Sequence, residues 1–129
     1  MIVDASAVCA IAFGEPEREI FVAALKGRRL SLIAPVQVWE AAVSVSNRLS
    51  IDGISQVDRL LTTLGVEVAA IGHAETFAAF DAWRRFGRGR HPAGLNLGDC
   101  FAYALAKTRD LPLLYKGEDF AKTDIRAVL

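Results

Sequence analysis

Few features of this sequence point to a secreted protein or to one that spans a membrane. It contains only two cysteines and four prolines among 129 residues. Charged residues or glycines interrupt every hydrophobic run, so none reaches the ~18 residues that a membrane-spanning helix needs. We expect no signal peptide, no membrane span and no disulfide framework. We interpret Cys9 and Cys100 as buried thiols of a protein in the reducing cytoplasm.

Net charge is also lacking. Fifteen basic and fifteen acidic residues cancel, so the overall charge neither favours nor excludes a nucleic-acid partner. The basic residues are nevertheless concentrated in one segment, RRFGRGRH, with Arg84, Arg85, Arg88, Arg90 and His91. This segment is a candidate for contacts with nucleic-acid phosphates. The alternatives are a solvated helix end and a surface that pairs with an acidic partner.

What the sequence does contain is enough apolar material for one well-packed domain. Hydrophobic residues make up 53% of the chain, and no linker divides residues 1–129. Short apolar strands are predicted at 2–4, 30–34, 66–71, 112–115 and 125–128. Amphipathic helices are predicted between them, among others at 35–49, 55–64, 74–86 and 97–108. This alternation predicts an α/β fold with a parallel sheet of about five strands, covered by helices on both faces.

Four acids lie at positions where functional sites of such folds are usually found. Asp4 ends the first strand, Asp119 follows the fourth, Glu40 lies within the 35–49 helix, and Asp99 lies in the first turn of the 97–108 helix. Sites in parallel sheets lie beyond the carboxyl ends of the strands. We therefore expect these four side chains to converge.

Each acid taken alone also has a structural explanation. Asp4 can cap a helix, Asn96 and Asp99 have the spacing of a capping box, and turn chemistry accounts for Asp119. Glu40 is the most informative, because it is predicted on the helix face that meets the sheet. An ionised carboxylate there needs a partner, and the alternative is a solvated position at the edge of that face.

Convergent carboxylates repel one another, and a hard divalent cation such as Mg²⁺ or Mn²⁺ compensates that repulsion. No His or Cys pair has the spacing of a zinc site, and no His–Asp set accompanies a nucleophile. A receiver domain would have adjacent acids after the first strand. An aspartyl phosphatase would have a second Asp where Ser6 stands. We interpret Trp39 and Trp83 as core residues rather than as platforms on which nucleic-acid bases stack.

Four segments, in this order and spacing, carry a family likeness. They are DASA from Asp4, PVQVWEAA from Pro35, LNLGDCFAYALA from Leu95 and LLYKGEDFAKTDI from Leu113. Together they resemble PIN-domain ribonucleases and, more closely, VapC-type toxins of bacterial toxin–antitoxin pairs. The likeness covers essentially the whole chain. One departure is Glu118, where family members often carry Asp or Asn.

The resemblance implies a three-layer PIN-like fold and a set of site residues. It implies that four acids bind the metal and carry the catalysis: Asp4, Glu40, Asp99 and Asp119. Three polar residues would support them: Ser6, Asn96 and Thr123. Within the last segment, the choice among Glu118, Asp119 and Asp124 for the fourth acid stays open.

The resemblance also implies an activity and partners. The activity would be Mg²⁺- or Mn²⁺-dependent endonucleolytic cleavage of RNA by a metal-activated water. The enzyme would be a homodimer that a cognate antitoxin blocks. The expected RNA contacts are Arg84, Arg85, Arg88 and Arg90. The alternative function is that of a non-catalytic domain of this fold that binds RNA or a protein partner.

Overall fold

The sheet at the centre of the protein has four parallel strands. In a computed structural model that describes residues 1–129, they are β1 (Ile2–Val3), β2 (Ser31–Ile33), β3 (Val66–Val68) and β4 (Leu113–Leu114). The strand order is β3-β2-β1-β4. β1 therefore lies inside the sheet, where Ile2 pairs with Leu32 on one side and with Leu113 on the other.

Six α-helices surround the sheet. They are α1 (Ala5–Ala12), α2 (Arg18–Lys26), α3 (Pro35–Leu49), α4 (Gly53–Leu64), α5 (His73–Phe86) and α6 (Leu97–Arg109). A 3₁₀ helix, Phe120–Lys122, follows β4. The helix predicted at 35–49 agrees with α3 at both ends, because Pro35 suits the first helical position. None of these helices is both long enough and apolar enough to cross a membrane.

The predicted α/β fold is confirmed, with four strands where about five were expected. The segment predicted as a fifth strand forms a single bridge, in which the N–H of Leu113 donates to Arg126 O at 2.8 Å and that of Val128 donates to Leu113 O at 3.0 Å. β4 is only two residues long and therefore offers no ladder for a longer partner.

Two hydrophobic cores lie on opposite faces of the sheet. Successive residues of a strand point to opposite faces, and β1 divides accordingly. Val3 packs in the core that α1 to α4 cover, and Ile2 packs in the core that α5 and α6 cover. Cys100 is buried in the second core and Cys9 is half-buried against the first, and both are free thiols.

The interpretation of the two tryptophans as core residues was wrong. Trp39 is 66% exposed and Trp83 is 38% exposed. α3 buries the face that contains Gln37, Ala41 and Val45, so a residue two positions after Gln37 points away from the core.

Candidate active site

A pocket of about 360 Å³ lies where β1 ends. Three of the predicted acids line it: Asp4 from the end of β1, Glu40 from α3 and Asp99 from the first turn of α6. Ser6 and Asn96 line the same pocket. The convergence that the strand-end argument predicted therefore occurs for these three acids.

Asp4 is a buried helix cap as well as a wall of the pocket. Its Oδ2 accepts the N–H of Ser6 at 2.9 Å and the Ser6 hydroxyl at 2.5 Å. Burial raises the pKa of the Asp4 carboxyl, and the bonds from Ser6 oppose that rise. The capping and the site interpretations of Asp4 are thus compatible, because the bonds that begin α1 also hold the carboxylate.

Ser6 also connects this carboxylate to the end of β4. Its Oγ accepts the backbone N–H of Lys116 at 2.9 Å. The Lys116 ammonium binds Glu15 at 2.8 Å and Glu17 at 3.0 Å. The charge of Lys116 is therefore compensated by acids outside the pocket.

Glu40 is half-buried and has no cationic partner. Arg48, two turns further along the same helix, pairs with Glu15 at 3.0 Å instead. Burial, together with repulsion from Asp4 and Asp99, raises the pKa of Glu40 to about 7. Glu40 lies beside the buried face of α3 rather than within it. This position is intermediate between the two predicted alternatives, a buried position facing the sheet and a solvated position at the edge of that face.

Asp99 begins α6 through a reciprocal capping box with Asn96. Its carboxylate accepts the Asn96 N–H at 2.8 Å, and the Asn96 side chain accepts the Asp99 N–H at 2.9 Å. Burial raises the pKa of Asp99 to about 6, and repulsion from Asp4 and Asp119 adds to the rise, while Arg88 opposes it. The cap orients the carboxylate without neutralising it.

The donor set suits a hard cation, although the side chains are not closed around one. No group of three His, Cys, Asp or Glu residues lies close enough together to hold a metal ion. The pocket nevertheless offers three carboxylates whose pKa values are all raised by burial, and repulsion among them adds to the rise for Glu40 and Asp99. Oxygen donors with uncompensated negative charge fit Mg²⁺ or Mn²⁺. No His lines the pocket; Cys9 does, but burial raises the pKa of its thiol, which disfavours the thiolate that zinc binds.

Comparison with known proteins decides the family. The family model described as PIN domain matches residues 1–126. The chain is 41% identical over 128 residues to a VapC ribonuclease of Mycobacterium bovis, a match that covers 99% of this chain and 98% of the relative. It is 40% identical over 128 residues to a ribonuclease VapC of Mycolicibacterium smegmatis, with 99% of each chain covered. The chain belongs to the PIN-domain family.

Solved structures share the PIN fold at low sequence identity. The structure of Mycobacterium tuberculosis VapC20, described as a sarcin–ricin loop cleaving toxin, has a TM-score of 0.77 at 12% identity and covers 96% of this chain and 95% of its own. A toxin–antitoxin complex from Klebsiella pneumoniae has a TM-score of 0.69 at 17% identity, with 95% and 92% covered. The VapC-type PIN fold expected from the sequence is therefore confirmed.

In this PIN domain, Asp119 lies near the pocket but does not line it. Asp119 is exposed directly before the 3₁₀ helix, and its charge contributes to the raised pKa of Asp99. Thr123 is engaged elsewhere: its hydroxyl donates to Phe120 O at 2.7 Å and accepts the Ile125 N–H at 3.2 Å. Thr123 therefore ends the 3₁₀ helix and is not among the pocket's lining residues.

Asp124 belongs to a separate ion-pair cluster. It accepts the Tyr103 hydroxyl at 2.5 Å and pairs with Arg85 and Lys107, each at 3.1 Å. Partial burial opposes ionisation, but these three donors together lower the pKa of Asp124 to about 2. Its charge is compensated within this cluster.

The arginines predicted to bind RNA have different surroundings. Arg85 is held by Asp124 and lies over the Phe86 ring at 4.6 Å. Arg90 lies over the Trp83 ring at 4.1 Å. The charge of Arg88 lowers the pKa of Asp99 and so opposes the effect of burial. Arg84 is exposed on α5. Arg88 is the arginine whose charge the structure connects to the acidic pocket.

Sequence reasoning missed an apolar groove beside this pocket. The groove has a volume of about 420 Å³, lies between α5 and α6, and shares Asn96 with the acidic pocket. Phe80, Trp83 and Leu97 line it, and Phe77 nearby on α5 is 66% exposed. The aromatic residues at 77, 80 and 83 recur at helical spacing, a signal that the sequence contained.

Proposed function

We propose that this PIN domain is a metal-dependent endoribonuclease and the toxin of a toxin–antitoxin pair. The observation that carries the proposal is the meeting of Asp4, Glu40 and Asp99 in one pocket without a paired cation. Relatives of about 40% identity are named VapC ribonucleases and support the same activity. The two free cysteines fit a cytoplasmic location.

In this proposal, Asp4, Glu40 and Asp99 hold Mg²⁺ or Mn²⁺, and Asp119 is the fourth acid. The metal, when bound, would bind the scissile phosphate and lower the pKa of a water molecule. Ser6 fixes Asp4, and the backbone of Asn96 fixes Asp99. These bonds keep two carboxylates oriented before any ligand arrives, which lowers the cost of ordering the site.

Proton transfer and RNA binding fall to residues around the pocket. Asp99 or Asp119 would orient the attacking water and accept its proton. Arg84, Arg88 and Arg90 would bind the phosphates on either side of the cut, because an acidic pocket alone repels RNA. Arg85, which is paired with Asp124, would contribute less than the other three.

The partners are part of the proposal. A cognate antitoxin would block the acidic pocket, as the similarity to a toxin–antitoxin complex suggests. A second copy of this chain would cover the aromatic face of α5, because large exposed apolar patches mark protein contacts and a twofold interface uses the same patch twice. Sedimentation should show a dimer that Phe77→Ser with Phe80→Ser converts to monomer. Ile54→Ser, at an exposed position on α4, should leave it dimeric.

The decisive experiment for the activity uses purified protein and RNA. We expect cleavage with Mg²⁺ or Mn²⁺ that EDTA abolishes and that Asp4→Ala and Asp99→Asn each reduce by two orders of magnitude or more, roughly the size of effect that loss of one key electrostatic contact produces. Asp58→Asn, an exposed acid on α4, is the matched control and should cleave normally. Equal cleavage by all four proteins would contradict the proposal. RNA binding by folded wild type without any cleavage would instead favour the non-catalytic alternative.

A further inference from the structure

A buried glutamine connects the two helices that supply Glu40 and Asp99. Gln37 is fully buried in the first turn of α3. Its Nε2 donates to the carbonyl oxygen of Gly98, in the first turn of α6, at 2.6 Å across 61 residues of sequence. The other half of the amide is unpaired, since Gln37 Oε1 is the one buried side-chain polar atom without a hydrogen-bond partner.

Packing alone does not favour a glutamine at this position. A buried amide oxygen without a partner costs stability, because it loses its hydrogen bonds to water. Methionine has a similar size and shape and would fill the same space without an unpaired oxygen. The feature that only glutamine provides here is the directed bond to Gly98, so the reason for this side chain lies in what that bond positions.

The bond lies where side chains of α3 contact the backbone of α6 at Gly98. Glu40 follows Gln37 by three positions and therefore shares its side of α3. The Glu40 carboxylate lies so close to Gly98 that a methyl group on residue 98 would overlap it. Asp99 is the next residue along α6. Gln37 and Glu40 thus contact the same residue, which directly precedes Asp99.

We propose that Gln37 is a positioning residue which, together with the bare backbone of Gly98, sets the distance between the Glu40 and Asp99 carboxylates. Through that distance it sets the affinity of the pocket for a divalent cation. The inference rests on the proposed metal-dependent function. Without the Gln37 bond, α3 keeps its hydrophobic contacts but loses its only directed side-chain bond to the start of α6, and the two carboxylates are free to separate.

The test is Gln37→Met, measured as Mn²⁺ binding by calorimetry without RNA and as melting temperature in EDTA. We expect Mn²⁺ affinity to fall on the order of 10-fold, the size of effect seen when a residue that orients a metal ligand is lost. The metal-free melting temperature should stay the same or rise. Gln56→Met, the same change at the chain's other glutamine, which is exposed on α4, should leave both quantities unchanged.

Two results would overturn the inference, and they differ from failure of the proposed function. Unchanged Mn²⁺ affinity in Gln37→Met would show that the bond positions nothing. A large fall in the metal-free melting temperature would assign Gln37 a structural role. If wild type itself binds no Mn²⁺, the metal-dependent function fails first, and the inference fails with it.

Gly98→Ala gives an independent test of the same contact. The added methyl group should displace the Glu40 carboxylate, lower the metal-free melting temperature and weaken Mn²⁺ binding. A Glu40→Ala background removes the three atoms nearest to the added methyl group, so Gly98→Ala should then change the metal-free melting temperature less. Equal effects of Gly98→Ala in both backgrounds would contradict the proposed contact, even if Gln37→Met folds poorly.

Discussion

The Ser6 hydroxyl donates a 2.5 Å hydrogen bond to the buried carboxylate of Asp4. The same oxygen accepts the N–H of Lys116, so Ser6 joins the end of β1 to the segment after β4. Without this donor, the carboxylate would keep only its backbone bonds. Ser6 therefore stabilises the ionised form of an acid whose pKa burial otherwise raises.

Ser6→Ala should impair activity more than stability. The Asp4 carboxylate would lose a donor and take up a proton more readily, so we expect RNA cleavage to fall about 10-fold or more, in the range typical of groups that support a catalytic carboxylate. The free energy of unfolding should fall by about 1 kcal/mol for the lost hydrogen bond. Cleavage assays and urea unfolding measure the two effects.

The chain contains a matched control for Ser6. In α4, the Ser55 hydroxyl donates to Asp52 at 2.5 Å in a similar helix cap, and both residues are exposed. Ser55→Ala should lower stability modestly and leave cleavage unchanged. If both variants lost activity equally, the effect would come from weakened helix caps and not from the Asp4 carboxylate.

The sequence predicted the convergence of three of the four acids because the positions of Asp4 and Asp99 follow from local rules. A carboxylate after a parallel strand lies at the carboxyl edge of the sheet, as Asp4 does. Asn96 and Asp99 have capping-box spacing, and the structure contains that box. These features follow from short stretches of chain and from the parallel topology.

What could not be predicted depends on how distant helices pack. The bond from Gln37 to Gly98 spans 61 residues, and the pairing of Arg85 with Asp124 spans 39. Neither has a signature in local spacing. The core interpretation of Trp39 failed because the rotation of a helix about its axis is set by the elements that it packs against, and the rotation of α3 turns Trp39 away from the buried face.

Replacing Arg85 and Arg88 separately should distinguish structural from RNA-binding arginines. The charge of Arg88 reaches Asp99 in the acidic pocket and lowers its pKa. Arg88→Ala should therefore weaken RNA binding and reduce the slope of log affinity against log salt by about 1. Arg85→Ala should leave that slope nearly unchanged and lower stability, because it removes the contacts with Asp124 and Phe86. Binding titrations at several salt concentrations provide the measurement. A larger loss of the salt slope in Arg85→Ala than in Arg88→Ala would reverse this assignment.

The metal-free protein should lose stability as the pH rises from about 4 to about 7. Glu40 and Asp99 have pKa values of about 7 and about 6 when folded, above their ordinary values of 4.5 and 3.8. In this interval the folded state binds more protons than the unfolded state, so the free energy of unfolding decreases with pH. Asp124 acts in the opposite direction, but its effect falls between about pH 2 and its ordinary value of 3.8. Glu15, Glu17 and Glu75, whose pKa values are lowered from 4.5, also act in the opposite direction, so the decline should be steepest above about pH 5.

Melting temperatures in EDTA at a series of pH values test this expectation. Glu40→Gln removes one titrating group and should flatten the decline. With Mn²⁺ present, the trend should reverse above pH 6, because metal binding requires the ionised carboxylates. A decline of the same steepness in Glu40→Gln would assign the pH dependence to other groups.

Three acids after β4 should differ in their effects because their surroundings differ. The charge of Asp119 contributes to the raised pKa of Asp99. Asp119→Asn should therefore reduce cleavage by about an order of magnitude or more, with little change in stability. Glu118 is also exposed, and its charge raises the pKa of Tyr115, so Glu118→Gln should cleave nearly as wild type. Asp124 is bound by Tyr103, Arg85 and Lys107, so Asp124→Asn should lower the free energy of unfolding by about 1–3 kcal/mol.

The comparison of these three variants decides which acid completes the site. Cleavage rates must be taken at a temperature at which Asp124→Asn is still folded, since loss of that ion-pair cluster would otherwise lower the rate through unfolding alone. Under that condition, a rate loss confined to Asp119→Asn identifies the fourth acid. A loss confined to Glu118→Gln would mean that the loop rearranges when metal or RNA binds, because in the present conformation the Asp119 charge contributes to the raised pKa of Asp99.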